Sequence, residues 1–177
     1  MTDAGQFEAF VRRYQDMVFA TAVRLLGNVS DAEDAAQTVF LRAFERYSQL
    51  AGHPGAGGWL KTANRNLCFN HLSRYRARWK FFSELDAADG DSTYESTLES
   101  QVSRALGIEA ADQHARLEQV IRNLPDHQRV PLVLFHFEEL SYQQIADTLK
   151  VSLAKVKSDI HRGRETLRRL MTDDARR

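Results

Sequence analysis

The sequence predicts an all-α protein: two small helical domains joined by a flexible acidic linker. Three observations carry this expectation. Apolar residues recur at helical spacing along most of the chain, and few residues favour strands. Charge is segregated. The 177 residues carry 24 basic and 24 acidic side chains, net zero, but their distribution is uneven. Residues 1–83 hold 11 basic and 7 acidic groups, residues 84–112 hold 1 and 8, and residues 113–177 hold 12 and 9. Two mildly basic ends therefore flank an acidic middle, an asymmetry that the average hides. The middle stretch is also poor in large apolar groups, so it has little to set against the entropy of ordering. The expected divisions are 1–83, 84–112 and 113–177.

Composition excludes several classes. Cys68 is the only cysteine, so no internal disulfide can form. Cys68 and His71 have C-x-x-H spacing, but a zinc site needs about four ligands and no second pair is near. No metal or cofactor is expected. The acidic start, MTDAGQFE, is unlike a signal peptide. No apolar run approaches the roughly 18 residues of a membrane span, so no membrane insertion is expected and the default location is cytoplasmic. No Ser/His/Asp or Cys/His constellation is legible, so no catalytic residue is assigned.

In chain order, Phe7, Phe10, Val11, Tyr14, Met17, Val18, Ala22 and Leu25 form a helical stripe. It ends at Gly27-Asn28 and reads as core packing. Ser30 and Glu33 have the spacing of a capping box for a second helix. Asp31, Glu33 and Asp34 crowd its first turn, where acids complement the macrodipole by about 0.3–1 kcal/mol each. Its apolar set, from Ala32 through Phe40 and Phe44 to Tyr47, is wider than one stripe and leaves apolar surface for a partner. The segment resembles the region of bacterial sigma factors that grips the RNA polymerase clamp, whose hallmark is D-A-E-D followed by Q and F. That resemblance implies that Asp31, Glu33, Asp34, Gln37 and Phe40 bind core RNA polymerase.

Leu50 to Gly58, LAGHPGAGG, reads as a loop. It lacks the G-x-x-x-x-G-K-[ST] pattern of a phosphate loop. The helix beginning WLKTANRNLCFNHLSRYRARWK mixes cations, amides and aromatic rings. This mixture suits single-stranded DNA, with rings stacking on bases at about 1–3 kcal/mol each. W-L-x-x-A-x-N is similar to the sigma region that melts and reads the minus-ten promoter element. The resemblance implies a loop that holds a flipped base, and minus-ten contacts from His53, Lys61, Asn64, Arg65, Asn70 and Arg74. The family commonly has Asp where Asn70 stands, so Arg74 loses a charged partner. Beyond it, a similar connector in the family threads the polymerase cleft. Glu84, Asp86, Asp89 and Asp91 either mimic nucleic-acid charge there or form a solubilising tether.

Leu117, Val120 and Ile121 lie on one helical face, which Leu124-Pro125 stops. Asp126 can cap the next helix, where Val130, Val133, Leu134 and Phe137 face inward and Pro131 predicts a bend. Then comes LSYQQIADTLKVSLAKVKSDIHRGRETLRRL. Ser141 and Gln144 have capping-box spacing. The break is Lys150-Val151-Ser152, and Ser152 can cap the second helix. Leu153, Val156, Ile160, Leu167 and Leu170 are read as its inward stripe. A short helix, a tight turn and a basic helix are the elements of a helix-turn-helix. With L-P-x-x-x-R at Leu124, Pro125 and Arg129, this end resembles the promoter-reading domain of sigma factors, nearest the extracytoplasmic-function (ECF) group.

That resemblance implies minus-thirty-five contacts from Lys155, Lys157, Ser158, His161, Arg162 and Arg164. Lys150 stands where the family often has Gly, so a left-handed turn there is strained. Asp159 replaces a common cation; it can pair with Lys155 or Arg162 or accept from a cytosine amine. The resemblance implies a sigma region 2-like and a sigma region 4-like domain. The expected function is an alternative sigma factor, whose partners are core RNA polymerase, promoter DNA and, where one exists, an anti-sigma factor. A helix-turn-helix regulator and a sigma mimic that binds only an anti-sigma protein are the rival readings.

Overall fold

The computed structural model describes residues 3–86 and 109–174. Among these, the order is α1 (Asp3–Leu26), α2 (Val29–Glu45), α3 (Tyr47–Leu50), α4 (Ala56–Asp86), α5 (Glu109–Asn123), α6 (Asp126–His136), α7 (Tyr142–Leu149) and α8 (Leu153–Asp174). The all-α expectation holds. The acidic segment between Asp86 and Glu109, with Asp89 and Asp91, lies outside the described residues; Glu84 and Asp86 fall in the last turn of α4.

α1 ends where Gly27 takes φ +70°, a left-handed stop that costs glycine little. Asn28 follows in extended conformation, and its side chain accepts the Asp31 N–H at 3.1 Å. This corrects the expected cap: α2 starts one residue before Ser30, because Asn28 satisfies the orphan amide as well as a serine would. α2 also stops at Arg46, and the single turn α3 precedes a loop of only 51–55. Ala56, Gly57 and Gly58, read as loop, are the first turn of α4.

α1, α2 and α4 pack on one another around Val18, Val39, Ala43, Leu50, Ala56 and Leu60. At the far end α6, α7 and α8 pack together, with α5 against α8. α8 approaches α6 so closely at Gly163 that a Cβ there would lie 3.0 Å from Leu132 Cδ1 and 3.3 Å from the Gln128 carbonyl. Pro125 precedes α6 without a side-chain cap, and Asp126 instead pairs with Arg129 at 2.6 Å. The helix continues through Pro131.

A second core draws on helices from both ends of the described chain. Ala22, Leu25 and Leu26 of α1, with Ala32, Ala35, Cys68 and Leu72, share one buried cluster with Ile121, Val130, Val133, Leu134, Ile145, Val156 and Ile160. The two halves therefore meet across α1 and α5–α6.

Candidate polymerase and promoter interfaces

Between α1 and α2 lies an open groove of about 710 Å³. α2 contributes Glu33, Ala36, Gln37, Phe40, Leu41 and Phe44, and α1 contributes Phe7, Val11, Gln15, Asp16 and Phe19. Leu41 and Phe44 are 66% and 57% exposed, although a lone amphipathic helix would bury such residues. Phe44 is steadied by an edge contact with the Phe7 ring at 4.9 Å. Glu33, Gln37 and Phe40 line the groove together. Asp34 is exposed, and its carbonyl accepts the Thr38 hydroxyl at 2.8 Å. Asp31 does not line the groove; its carboxylate lies 3.3 Å from His71 Nε2 on α4. The sequence did not reveal Leu41 or the whole α1 wall. The signal was the apolar excess of α2, which needed a second helix to become a groove.

The loop 51–55 is positioned by Gly52, at φ +69°, and by His53, whose Nδ1 accepts the Gly55 N–H at 2.9 Å. That bond makes Nδ1 the acceptor, so neutral His53 presents Nε2–H as its donor. A second cavity of about 360 Å³ lies between this loop and α1, lined by Phe10, Arg13, Tyr14, His53 and Pro54 among others. The Arg13 guanidinium stacks over the Tyr14 ring at 5.4 Å.

On α4, Lys61 and Asn70 are exposed and Arg65 is half-buried. The side chain of Arg74 is outside the described residues. Asn64 is a correction: it is fully buried, and its amide donates to the Val18 carbonyl at 2.8 Å. Leu60, Asn64, Cys68 and Leu72 follow one another at four-residue steps, so Asn64 shares their buried stripe. Cys68 Sγ lies 3.9 Å from Asn64 Oδ1. Burial, and then the Glu138 carboxylate, push the Cys68 thiol up to about 12, which leaves it protonated and inert near neutrality.

The helix-turn-helix forms as its caps require. Ser141 and Gln144 close a reciprocal capping box, and the Ser152 hydroxyl accepts the Lys155 N–H at 3.2 Å. Lys150 adopts φ 54°, ψ 46°, the strained left-handed position expected. On α8, Lys157, His161 and Arg162 are exposed and Ser158 is half-buried. Asp159 is only 5% exposed and accepts from Lys155 Nζ at 2.9 Å, so of its alternative roles the structure shows the Lys155 pair. Arg164 is exposed, but its Nε donates to His136 Nε2 at 3.2 Å. His136 is held below the usual histidine value, first by partial burial and then by Arg164. Leu153 and Leu170, read as inward, are 37% and 36% exposed. Leu153 stands in the first turn of α8, beside exposed Ala154.

The chain is similar to known proteins along most of its length. Residues 10–78 match the family model for sigma-70 region 2, and residues 114–167 match that for sigma-70 region 4. The chain is 29% identical over 171 residues to the ECF RNA polymerase sigma factor SigW of Bacillus subtilis, covering 97% of this chain and 91% of the relative. It is 31% identical to the RNA polymerase sigma-H factor of Pseudomonas aeruginosa, covering 93% and 86%. The fold is similar to that of the sigma factor RpoE of Bartonella quintana, solved in complex with the anti-sigma factor NepR, with a TM-score of 0.53 at 19% identity over 94% of this chain and 96% of that one. With both regions present in order and a near-full-length relative above 30% identity, the chain belongs to the sigma-70 family of RNA polymerase sigma factors, in the ECF group.

Proposed function

We propose that this sigma factor divides its work among three separate surfaces, as a non-catalytic recruiting subunit acting in the cytoplasm. The α1–α2 groove captures a helix of core RNA polymerase. Leu41, Phe44 and Phe40 would bury against that helix, while Asp16, Glu33, Asp34 and Gln37 hold its basic and polar side chains. Asp31, turned towards His71, would act by fixing α4 against α2 rather than by contact. The loop with His53, and Lys61, Arg65, Asn70 and Arg74 on α4, would receive the opened minus-ten strand. Asn64 would support that face from beneath.

The minus-thirty-five element would be read by α8. Lys157, His161 and Arg162 are exposed there, and Lys155 and Ser158 flank them. Leu153 and Ala154 would supply apolar contact to a thymine methyl group. An anti-sigma protein that covered the α1–α2 groove would silence the factor by competition. The division would follow the two family regions, residues 10–78 and 114–167.

The observation that carries this reading is the exposure of Leu41 and Phe44 beside a groove of helix-accepting size. Leu41→Arg tests it. Leu41 lies largely in solvent, so thermal stability should stay within about 0.5 kcal/mol. Affinity for purified core polymerase, measured by competition against the wild-type chain, should fall at least tenfold. Unchanged affinity would remove the groove from the mechanism.

A further inference from the structure

Arg164 carries a restraint that its place on α8 does not require. Its Nε donates to His136 Nε2 at 3.2 Å, and its guanidinium carbon lies 5.4 Å from the centre of the Phe135 ring. Phe135 is itself stacked on Tyr142, with centroids 4.7 Å apart and ring planes 23° from parallel. Phe135 and His136 close α6, Tyr142 opens α7, and Arg164 belongs to α8. Three helices therefore support one guanidinium. Gly163 permits the approach: a Cβ there would lie 3.0 Å from Leu132 Cδ1, and Leu132 is one turn before His136. The ion pairs of Lys155 with Asp159 and of Arg168 with Glu165 stay within α8, whereas the Arg164 bond reaches a different helix. Partial burial, and then Arg164, hold the His136 imidazole below its usual value, so near neutral pH it is uncharged. Nε2 is then the acceptor, and Nδ1 carries the proton.

We propose that His136 is a positioning residue for promoter recognition: with the Phe135 ring it holds Arg164 as a preset clamp for a DNA phosphate at the wall of the minus-thirty-five major groove. The inference rests on the proposed reading of α8. Lys157, His161 and Arg164 follow one another at steps of four and three residues, so they share one helix face, and all three are exposed. Arg164 stands about 16 Å along α8 from Leu153, at ~1.5 Å per residue. The major groove is about 12 Å wide. A helix that enters by its N-terminal turns meets base edges first, and by Arg164 it has reached the backbone. Phosphate contacts set register and orientation rather than base identity, so their geometry matters. With Nε committed to His136, the guanidinium keeps both Nη groups, an edge that can bind two phosphate oxygens at once. A free arginine loses rotamer freedom when it takes up a phosphate; one already held loses less. His136 touches no DNA in this arrangement and acts through Arg164 alone.

The test uses holoenzyme assembled from the full chain and a duplex from a promoter that the wild-type holoenzyme transcribes, with binding measured across a salt series. Neither His136 nor Arg164 belongs to the buried core, so the variants should fold. Arg164→Ala should weaken binding and shallow the logarithmic salt slope by about 0.9. His136→Phe keeps a ring and loses the acceptor. It should weaken binding about two- to tenfold with the slope unchanged, because Arg164 keeps its charge. His136→Gln keeps a neutral acceptor and should bind as the wild type does. Adding His136→Phe to Arg164→Ala should cost nothing further. A histidine with a merely structural role would act equally with and without Arg164, and that result overturns the proposal. So does wild-type binding by His136→Phe, or a loss in His136→Gln as large as that in His136→Phe. An unchanged slope in Arg164→Ala while Lys157→Ala shallows it also overturns it. An unchanged slope in all of Lys157→Ala, Arg162→Ala and Arg164→Ala would instead overturn the reading of α8 on which the proposal rests.

Discussion

Asn64 shows how one side chain can look like a DNA contact and be a structural bond. Its amide meets the Val18 carbonyl inside the first bundle, where removing a buried hydrogen bond costs about 1–3 kcal/mol. Asn64→Ala should lower stability by that amount in thermal or urea unfolding, while folded protein keeps its DNA affinity. A loss of affinity with no loss of stability would return Asn64 to the DNA face. A polar residue at four-residue spacing from Leu60 and Cys68 was legible as such. Its burial was not, because the satisfying carbonyl lies 46 residues away on another helix. His136 carries a second residue-scale prediction. Its proton is held more weakly in the folded chain than in the unfolded one, so the fold loses stability as pH falls below about 6.5, and the loss stops growing below the lowered folded value. A proton NMR titration should place its midpoint below 6.5, and Arg164→Ala should move it upward. A midpoint at or above 6.5 in the wild-type chain would contradict the assigned environment.

Helix ends were the most legible elements, because their chemistry is local. Ser141 with Gln144, Ser152, and the strained Lys150 stand where spacing put them. Asn28 displaced Ser30 because the two are comparable caps and the Gly27 turn decided between them. Lys150→Gly should relieve the left-handed strain and raise stability by about 0.5–1 kcal/mol in a denaturant titration; a fall in stability would mean that the lysine stem contributes packing. Faces were less legible than ends. Leu153 fits the apolar stripe of α8, yet at the first turn it is 37% exposed. On the outward face, each phosphate that α8 ceases to neutralise should shallow the salt dependence of binding by about 0.9 in the logarithmic slope. Lys157→Ala and Arg162→Ala should each do so for minus-thirty-five DNA. An unchanged slope for both would place the phosphate path elsewhere.

For the whole molecule, composition and charge segregation indicated two helical ends and an acidic middle, and motif order indicated the sigma factor family. The packing of one end on the other was not legible. Ala22, Leu25, Val130 and Leu134 each read as core of their own half, and no periodicity separates a face buried within a domain from one buried between domains. The α1 wall of the polymerase groove was hidden for the same reason: a stripe wide enough for two neighbours looks like a stripe for one. The central claim is that the tethered halves together give core polymerase its choice of promoter. The direct measurement is transcription by purified core polymerase on a genomic promoter library, with the wild-type chain, with Leu41→Arg, and with core alone. The account predicts discrete start sites with the wild-type chain, sharing two motifs spaced about 25 base pairs apart, and their disappearance with Leu41→Arg. Start sites no more frequent than with core alone, or an undiminished set with Leu41→Arg, would contradict it.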